Sequence, residues 1–539
     1  DLACGLGKKK RAGRESAWLI PPIANLRRNW IAHAEVSAAA KGWAVSLYQY
    51  DEFEYAEFSR RMPLPDKLVA LDRTLRDTFE FDPRRWTKVG YDEAGFKHDW
   101  SQYFVIDQRN HYPIATLRLG LKRLGLANTS RLEPAFVCAL ERPDTLWALI
   151  AKWDGDSVSP RLSCRIAPDG TAPLLAGLAA NGFLSAGDAL ALGELAMRFV
   201  TSPYLFVSLD PATPGAVAID AEWPDPRVTP PDVHVDHRVD SQGIRYLKFR
   251  LGPDGEPQWT FYRPLAEVLS DETFEALVAR PSSVREGAKE YYDRNNEAIL
   301  SAVGPIYQAG LIGQRGTPES TMRNLIAAAG IQAGERIADL GCGAGGPAIL
   351  IGRLVEGTRV DGITISPEQA LAAHSLAQAN GVDDRVTIQV GDYHEAPLAS
   401  GIYDRVVFFE SIGYADDLNQ VLREAHRLLR AGGFLYIKDV VRKPGQLQRR
   451  EALELAEFDE IYAQRTPTPE QIAAAIAHAG FVELKGEPLS GLATTLGFAQ
   501  AMRDRNSPDG LSEFGRRHHR SFQALPVTFV HFSAVRPEA

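Results

Sequence analysis

Apolar and polar residues alternate over short stretches through the first half of the chain, and after residue 335 the pattern changes to longer strand and helix periods. Between about residues 40 and 280, period-two runs predict strands. They fall at Tyr103–Asp107, Ala135–Glu141, Leu146–Trp153, Arg161–Ile166, Tyr204–Leu209, Ala216–Trp223, Arg245–Leu251 and Gln258–Tyr262. Pro143-Asp144, Pro211 to Gly215 and Pro253-Asp254-Gly255 supply turn chemistry between them. Ala and Leu recur at helical spacing from Ala172 to Phe199. These residues predict an antiparallel α+β domain. Ala279 to Ser283 interrupts the pattern, and residues 281–335 then read as a helical lid or linker. From Arg336 a strand, a glycine loop and alternating helices and strands predict a parallel α/β sheet. The expected division is a tail over 1–40, the α+β domain over 41–280, the helical segment over 281–335, and the α/β domain over 336–539.

Composition narrows the class. At 539 residues the chain exceeds what one hydrophobic core usually supports. Hydrophobic content of 45% and charged content of 24% are those of an ordinary soluble globular protein. A formal charge of −9 argues against a dedicated nucleic-acid binder, which carries a basic footprint. Cys4, Cys138, Cys164 and Cys342 lie far apart and form no CxxC pair, so neither a zinc site nor a disulfide framework is indicated. A cytoplasmic location is the simplest expectation. No uncharged apolar run is long enough for a membrane span. Asp1 to Arg14 lacks the apolar core of a secretory signal and reads as a tail.

The chemistry concentrates in Arg336-Ile-Ala-Asp339-Leu-Gly341-Cys-Gly343-Ala-Gly345-Gly346. A strand runs into closely spaced glycines, and Pro347 suits the first turn of the helix that follows. Glycines at this spacing allow a tight turn and let a ligand approach the main chain. A dinucleotide site is the rival reading. Its fingerprint has no acidic residue two positions before the first glycine, and Asp339 there would repel a pyrophosphate. A cationic ligand carrying an amino group suits it better.

On these residues the chain from 284 onward, by motif most closely to about 445, resembles a class I S-adenosylmethionine-dependent methyltransferase. Asp339 to Pro347 is similar to the first motif of the sterol and isoprenoid C-methyltransferases. The resemblance implies a Rossmann-like seven-stranded sheet with S-adenosylmethionine as cofactor. Asp339, Gly341, Gly343 and Gly345 would then hold its methionine part. Arg359 to Ile365 reads as the second strand, leading into Thr364-Ile365-Ser366-Pro-Glu-Gln369. That variant resembles the branch in which a Gln and nearby backbone hold the ribose, favouring Gln369, Thr364 and Ile365 over Asp361. Ser366 also suits the N-cap of the next helix, a compatible role. After a third strand, Arg385 to Val390, the resemblance makes Asp392 the acceptor of the adenine amine, with Tyr393 and Phe409 completing the cofactor set.

Phe409-Glu410-Ser411-Ile-Gly-Tyr414 follows a fourth strand, Tyr403 to Phe409, and resembles a motif of geranyl-diphosphate-type C-methyltransferases. An alkene acceptor becomes a carbocation, which needs an aromatic wall and then a base. Glu410 is the expected base, with Tyr414 and Tyr292 of the Tyr291-Tyr292 pair in the wall. A salt-bridged Glu410 and ordinary lid packing of the two tyrosines are the alternatives. A helix over Gly445 to Thr466 is a second lid, and Phe481 to Gly486 with Val527 to Val535 complete the sheet. Arg516 to Arg520 is a solvated charge run or an anion contact.

In the first domain, Tyr246, Lys248 and Arg250 share one strand face, as do Arg161 and Arg165, and Lys152 ends another strand. Cations mixed with tyrosine inside an antiparallel barrel would bind a diphosphate, and the arrangement resembles the ABBA aromatic prenyltransferases. An outward solvated face in a substrate-binding or dimerising domain accounts for the same alternation. His234-Val-Asp236-His237 carries metal-like letters, but on a strand His237 points away from the other two, so no metal is expected. The reading is a methyltransferase of a small hydrophobic, isoprenoid-like natural product, carbon methylation favoured. O- or N-methylation, a bifunctional prenyltransferase–methyltransferase and a non-catalytic scaffold are the alternatives. The expected partners are a small-molecule substrate, no nucleic acid, no membrane, and a second copy in a homodimer.

Overall fold

The computed structural model describes residues 35–39, 42–49, 84–92, 95–106, 119, 122, 146–154, 157–197, 204–210, 215, 217–222, 246–252, 254–279, 283–306, 308, 317–489 and 525–538. The chain divides into two compact units, residues 1–277 and 278–539. Ala135–Glu141, His234–His237, Arg516–Arg520 and Asp1–Arg14 lie outside the described residues.

In the first unit, β1 (Glu35–Ala39), β2 (Gly42–Gln49), β3 (Arg84–Asp92), β4 (Gly95–Ile106), β5 (Leu146–Asp154), β6 (Ser157–Ile166), β7 (Leu205–Leu209), β8 (Val217–Glu222), β9 (Tyr246–Leu251) and β10 (Pro257–Pro264) pair antiparallel in order. β1 pairs with both β2 and β10, so the sheet closes into a barrel. Closure leaves no strand edge unpaired. Residues 35–39 are therefore barrel wall, which corrects the expectation of a tail over 1–40. Five residues of sparse patterning gave no periodic signal, and their order comes from pairing on both sides.

The alternation in β6 to β9 places Leu162, Cys164, Val207, Ile219, Leu247 and Phe249 on one fully buried face. Helices α1 (Pro168–Ala180) and α2 (Ala186–Met197) pack on that face against β7, β8 and β9. The single helical stretch expected over Ala172 to Phe199 is in fact these two helices. Asn181 ends the first and Gly182 follows with φ 76°, a left-handed turn that glycine adopts at little cost. Ser163, Arg165, Ser208, Asp220 and Lys248 share the opposite face by register. Lys88 on β3 lies 6.0 Å from the centre of the Tyr262 ring on β10, although β2 and β1 stand between those strands. That contact crosses the lumen, so the polar face lines the barrel interior. A short helix, α3 (Asp271–Val278), follows the barrel.

The second unit opens with α4 (Arg285–Val303) and α5 (Pro318–Ala328). Its sheet has the order β13-β12-β11-β14-β15-β17-β16. β11 (Arg336–Leu340), β12 (Arg359–Thr364), β13 (Val386–Val390), β14 (Tyr403–Phe409) and β15 (Leu429–Arg442) run parallel. β16 (Val482–Pro488) and β17 (Val527–Val535) add an antiparallel edge. Helices α6 (Gly346–Leu354), α7 (Pro367–Ala379), α8 (Leu418–Leu428), α9 (Arg449–Tyr462) and α10 (Pro469–His478) connect them. β15 begins five residues earlier than its apolar run, because Leu429 already pairs with Tyr403. The helix expected over Gly445 to Thr466 is shorter: Gly445 has φ 95° and Ala463 φ 50°, both outside helical space. The strand order reverses at β11 and β14, where ligands of open parallel sheets bind beyond the carboxyl ends. Among the described residues no helix is long and apolar enough to cross a membrane.

Candidate active site

β11 delivers Asp339 to the carboxyl edge of the sheet, and the chain turns back through Gly341 at φ 85° and Gly343 at φ 57°. A Cβ on Gly341 would meet the Ser411 Cβ at 2.4 Å, so only glycine fits. The Gly341 and Cys342 N–H groups both donate to the Ile363 carbonyl, which straps the loop to β12. Gly345, the left-handed N-cap of α6, sets the helix entry. Asp339 is 1% exposed, lines the cavity and has no hydrogen-bond partner among the described residues on either carboxylate oxygen. Burial pushes its carboxyl up to about 7. Two orphaned acceptors call for a cationic donor brought by a ligand.

Along β12, Thr364 Oγ1 donates to Gln369 Oε1 at 2.8 Å, and both residues line the cavity together with Ile365. Ser366 caps α7 by accepting from the Gln369 N–H, and its hydroxyl donates to Asp293 of α4 at 2.5 Å. Asp361 faces elsewhere: its Oδ2 accepts from Arg336 at 2.8 Å and from the Tyr403 hydroxyl at 2.9 Å. Beyond β13, Asp392 Oδ1 accepts from the His394 N–H at 2.9 Å and meets His394 Nδ1 at 2.6 Å. Its Oδ2 accepts from Arg285 at 2.8 Å. His394 Nε2 accepts from the Asp416 N–H, so Nδ1 carries the proton. Burial works to raise the Asp392 carboxyl, but the hydrogen bonds from His394 and Arg285 outweigh it and hold it well below the usual range. The expected adenine acceptor is thus a carboxylate already doubly engaged, and a ligand amine would share it with α4.

β14 ends at Phe409, and Glu410 follows with φ 60°, a strained conformation for a side chain of this size. The Glu410 N–H donates to the Lys438 carbonyl at 2.7 Å, and Lys438 Nζ donates to Glu410 Oε1 at 2.5 Å. Nζ also donates to Gln308 Oε1 at 2.6 Å, while the Gln308 amide donates to the Phe409 carbonyl. Glu410 is therefore ion-paired, with a lysine. The Tyr292 and Tyr414 hydroxyls meet at 2.6 Å with their rings edge to face, and Tyr291 packs edge-on against Tyr292. Burial holds the Tyr292 hydroxyl above its ordinary value. Tyr393 donates to the Ser411 carbonyl, and its ring packs edge-on against Phe408. One cavity brings together all the expected site residues except Gly345. Lys438, Gln308, Arg285 and His394 escaped sequence reasoning. Only the lysine left a signal, since it and Asp439 are charges inside the otherwise apolar stretch Tyr436 to Val441.

Residues 338–437 match the family described as a methyltransferase domain. The second unit carries a methyltransferase domain. Its sheet and glycine loop are those of the class I, S-adenosylmethionine-dependent type. The chain is 31% identical over 167 residues to methyltransferase GfsG of Streptomyces halstedii, covering 28% of this chain and 57% of the relative. It is 38% identical over 114 residues to the 27-O-demethylrifamycin SV methyltransferase of Amycolatopsis mediterranei, covering 21% and 42%. It is 31% identical over 105 residues to the sterol 24-C-methyltransferase of Pneumocystis carinii, covering 20% and 28%. The chain spans about half the length or less of these curated relatives. S-adenosylmethionine fits the methyltransferase cavity: the bare Asp339 oxygens suit its ammonium, and the glycine turn leaves the main chain open beside them.

Proposed function

We propose that this chain transfers a methyl group from S-adenosylmethionine to carbon on a small hydrophobic, isoprenoid-like natural product. The observation that carries the reading is Glu410, held at the tip of β14 in a cavity walled by Tyr292, Tyr393, Phe409 and Tyr414. The cofactor supplies a methyl group activated on a sulfonium. The protein supplies alignment and exclusion of water. An alkene carbon that forms the new C–C bond leaves a cation on its neighbour. The aromatic wall stabilises that cation through its ring faces. Glu410 then takes a proton from the adjacent carbon and the double bond reforms. The likeness to a sterol 24-C-methyltransferase supports a carbon acceptor, and that to the 27-O-demethylrifamycin SV methyltransferase supports oxygen as the alternative. Glu410→Gln is expected to bind the uncharged spent cofactor, S-adenosylhomocysteine, normally by calorimetry and to lose at least a hundredfold in turnover at saturating donor. A near-normal rate would remove Glu410 as the base. Mass spectrometry of products from labelled cofactor and a terpenoid extract distinguishes carbon from oxygen or nitrogen methylation.

A second activity in the first unit is favoured by its closed barrel. We propose a prenyl diphosphate site in the lumen. Lys248 pairs with Asp220 at 3.2 Å. Burial alone would lower its ammonium, but Asp220, Tyr262 and Tyr103 prevail and hold it raised. Tyr103 lies on β4, across the barrel from β9, so cation and phenols converge on one interior. Changing Lys248 and Arg250 together to Ala in the full chain should lower affinity for an allylic diphosphate more than tenfold in calorimetry. Unchanged affinity would discard the prenyl reading.

A further inference from the structure

Lys438 is among the largest fully buried side chains of the described residues, yet it belongs to no expected site. A buried ammonium is retained only where a partner offsets its desolvation. Here the partners are Glu410 at 2.5 Å and Gln308 at 2.6 Å. The pair is built from three directions. Lys438 comes from β15, opposite Phe409 in register. Glu410 comes from the strained end of β14. Gln308 is tied to the Phe409 carbonyl between them. The charge balance of the cavity gives this arrangement a purpose. Asp339, Glu410 and Asp392 line it, and Arg285 is the cation on Asp392. Asp439, the next residue after Lys438, is also buried, and its carboxylate oxygens accept from the Ile412 and Val440 N–H groups. Tyr292 faces the same region from α4.

We infer that Lys438, seated by Gln308, is a positioning residue whose charge offsets Glu410 and thereby sets how strongly the cavity prefers the sulfonium of the methyl donor over the uncharged thioether of the spent product. Without that ammonium, the negative charge of Glu410 would act more strongly on any sulfonium in the cavity and hold it by an interaction the thioether cannot make. With it, donor and product bind with comparable strength and orientation comes from Asp339. The inference rests on S-adenosylmethionine as donor but not on the acceptor.

Calorimetry on the full chain with S-adenosylmethionine and S-adenosylhomocysteine tests it, the readout being the ratio of the two affinities. Lys438→Met should raise the donor preference at least tenfold. Glu410→Gln, which leaves the lysine unbalanced, should lower it at least tenfold. The double variant, again neutral, should return to within threefold of wild type. Comparing the double variant with Glu410→Gln isolates the lysine even if Lys438→Met alone does not fold. A ratio that stays constant across Glu410→Gln and the double variant overturns the inference. If wild type binds neither compound, the donor itself is wrong, which is a separate failure. A lysine that only fills space would lower both affinities together and leave the ratio untouched.

Discussion

At the scale of single residues, Asp339 dominates. Its carboxyl ordinarily ionises at 3.8 and burial pushes it up to about 7 in the ligand-free cavity. Protonation is favoured by folding, so this residue's contribution to stability is full below about pH 4 and disappears as pH rises through about 7. A bound ammonium reverses the preference, because it favours the carboxylate. Cofactor affinity is therefore expected to rise about fivefold between pH 6 and pH 7, about tenfold between pH 6 and pH 8, and to level off beyond. Thermal stability of the ligand-free protein should fall over the same interval. Asp339→Asn should flatten both curves and weaken cofactor binding roughly a hundredfold, the size of a lost charge-assisted hydrogen bond. Calorimetry over a pH series checks the affinity, and an unaltered pH dependence in the variant would assign the titration to another group.

At the scale of elements, the site is held by a few sharp turns between straight strands. The Gly341 bend needs a left-handed backbone and the space that Ser411 leaves. Gly341→Ala adds strain and a clash with the residue after Glu410, and should cost about 2–4 kcal/mol of stability. Denaturant titration measures it, and a loss below about 1 kcal/mol would show that the loop relaxes at little cost. α4 is bound over the cavity by unlike contacts along its length. Arg285 reaches Asp392, Tyr292 meets Tyr414, and Asp293 takes the Ser366 hydroxyl. Lid and floor thus share polar partners, which couples the order of the helix to the contents of the cavity.

At the scale of the whole molecule, the parts legible in the sequence were those whose signal is local. Tyr403–Phe409 and Val527–Val535 fall at the bounds expected, because β-branched and aromatic residues dominate both, Val406 to Phe409 in the first and Val527, Phe529, Val530 and Phe532 in the second. The glycine loop was legible because backbone geometry restricts it to one residue type. The Lys438–Glu410 pair was not, since it depends on register between strands 28 residues apart in the chain. The same holds for Arg285 with Asp392, 107 residues apart. In the first unit the shared face of Lys248 and Arg250 could be read from alternation, but which side of the sheet it occupied could not. That answer came from contacts between strands on opposite walls.

The barrel is sewn shut by a seam of five residue pairs, Glu35 to Ala39 against Thr260 to Pro264. A version of this protein trimmed to begin at residue 40 would lack that stitch. Two raw rims would be laid bare at once, on β2 and on β10, and each is a template for a foreign strand. Shortening the chain at the sparsest stretch of its pattern would thus turn a self-contained vessel into a sticky open ribbon.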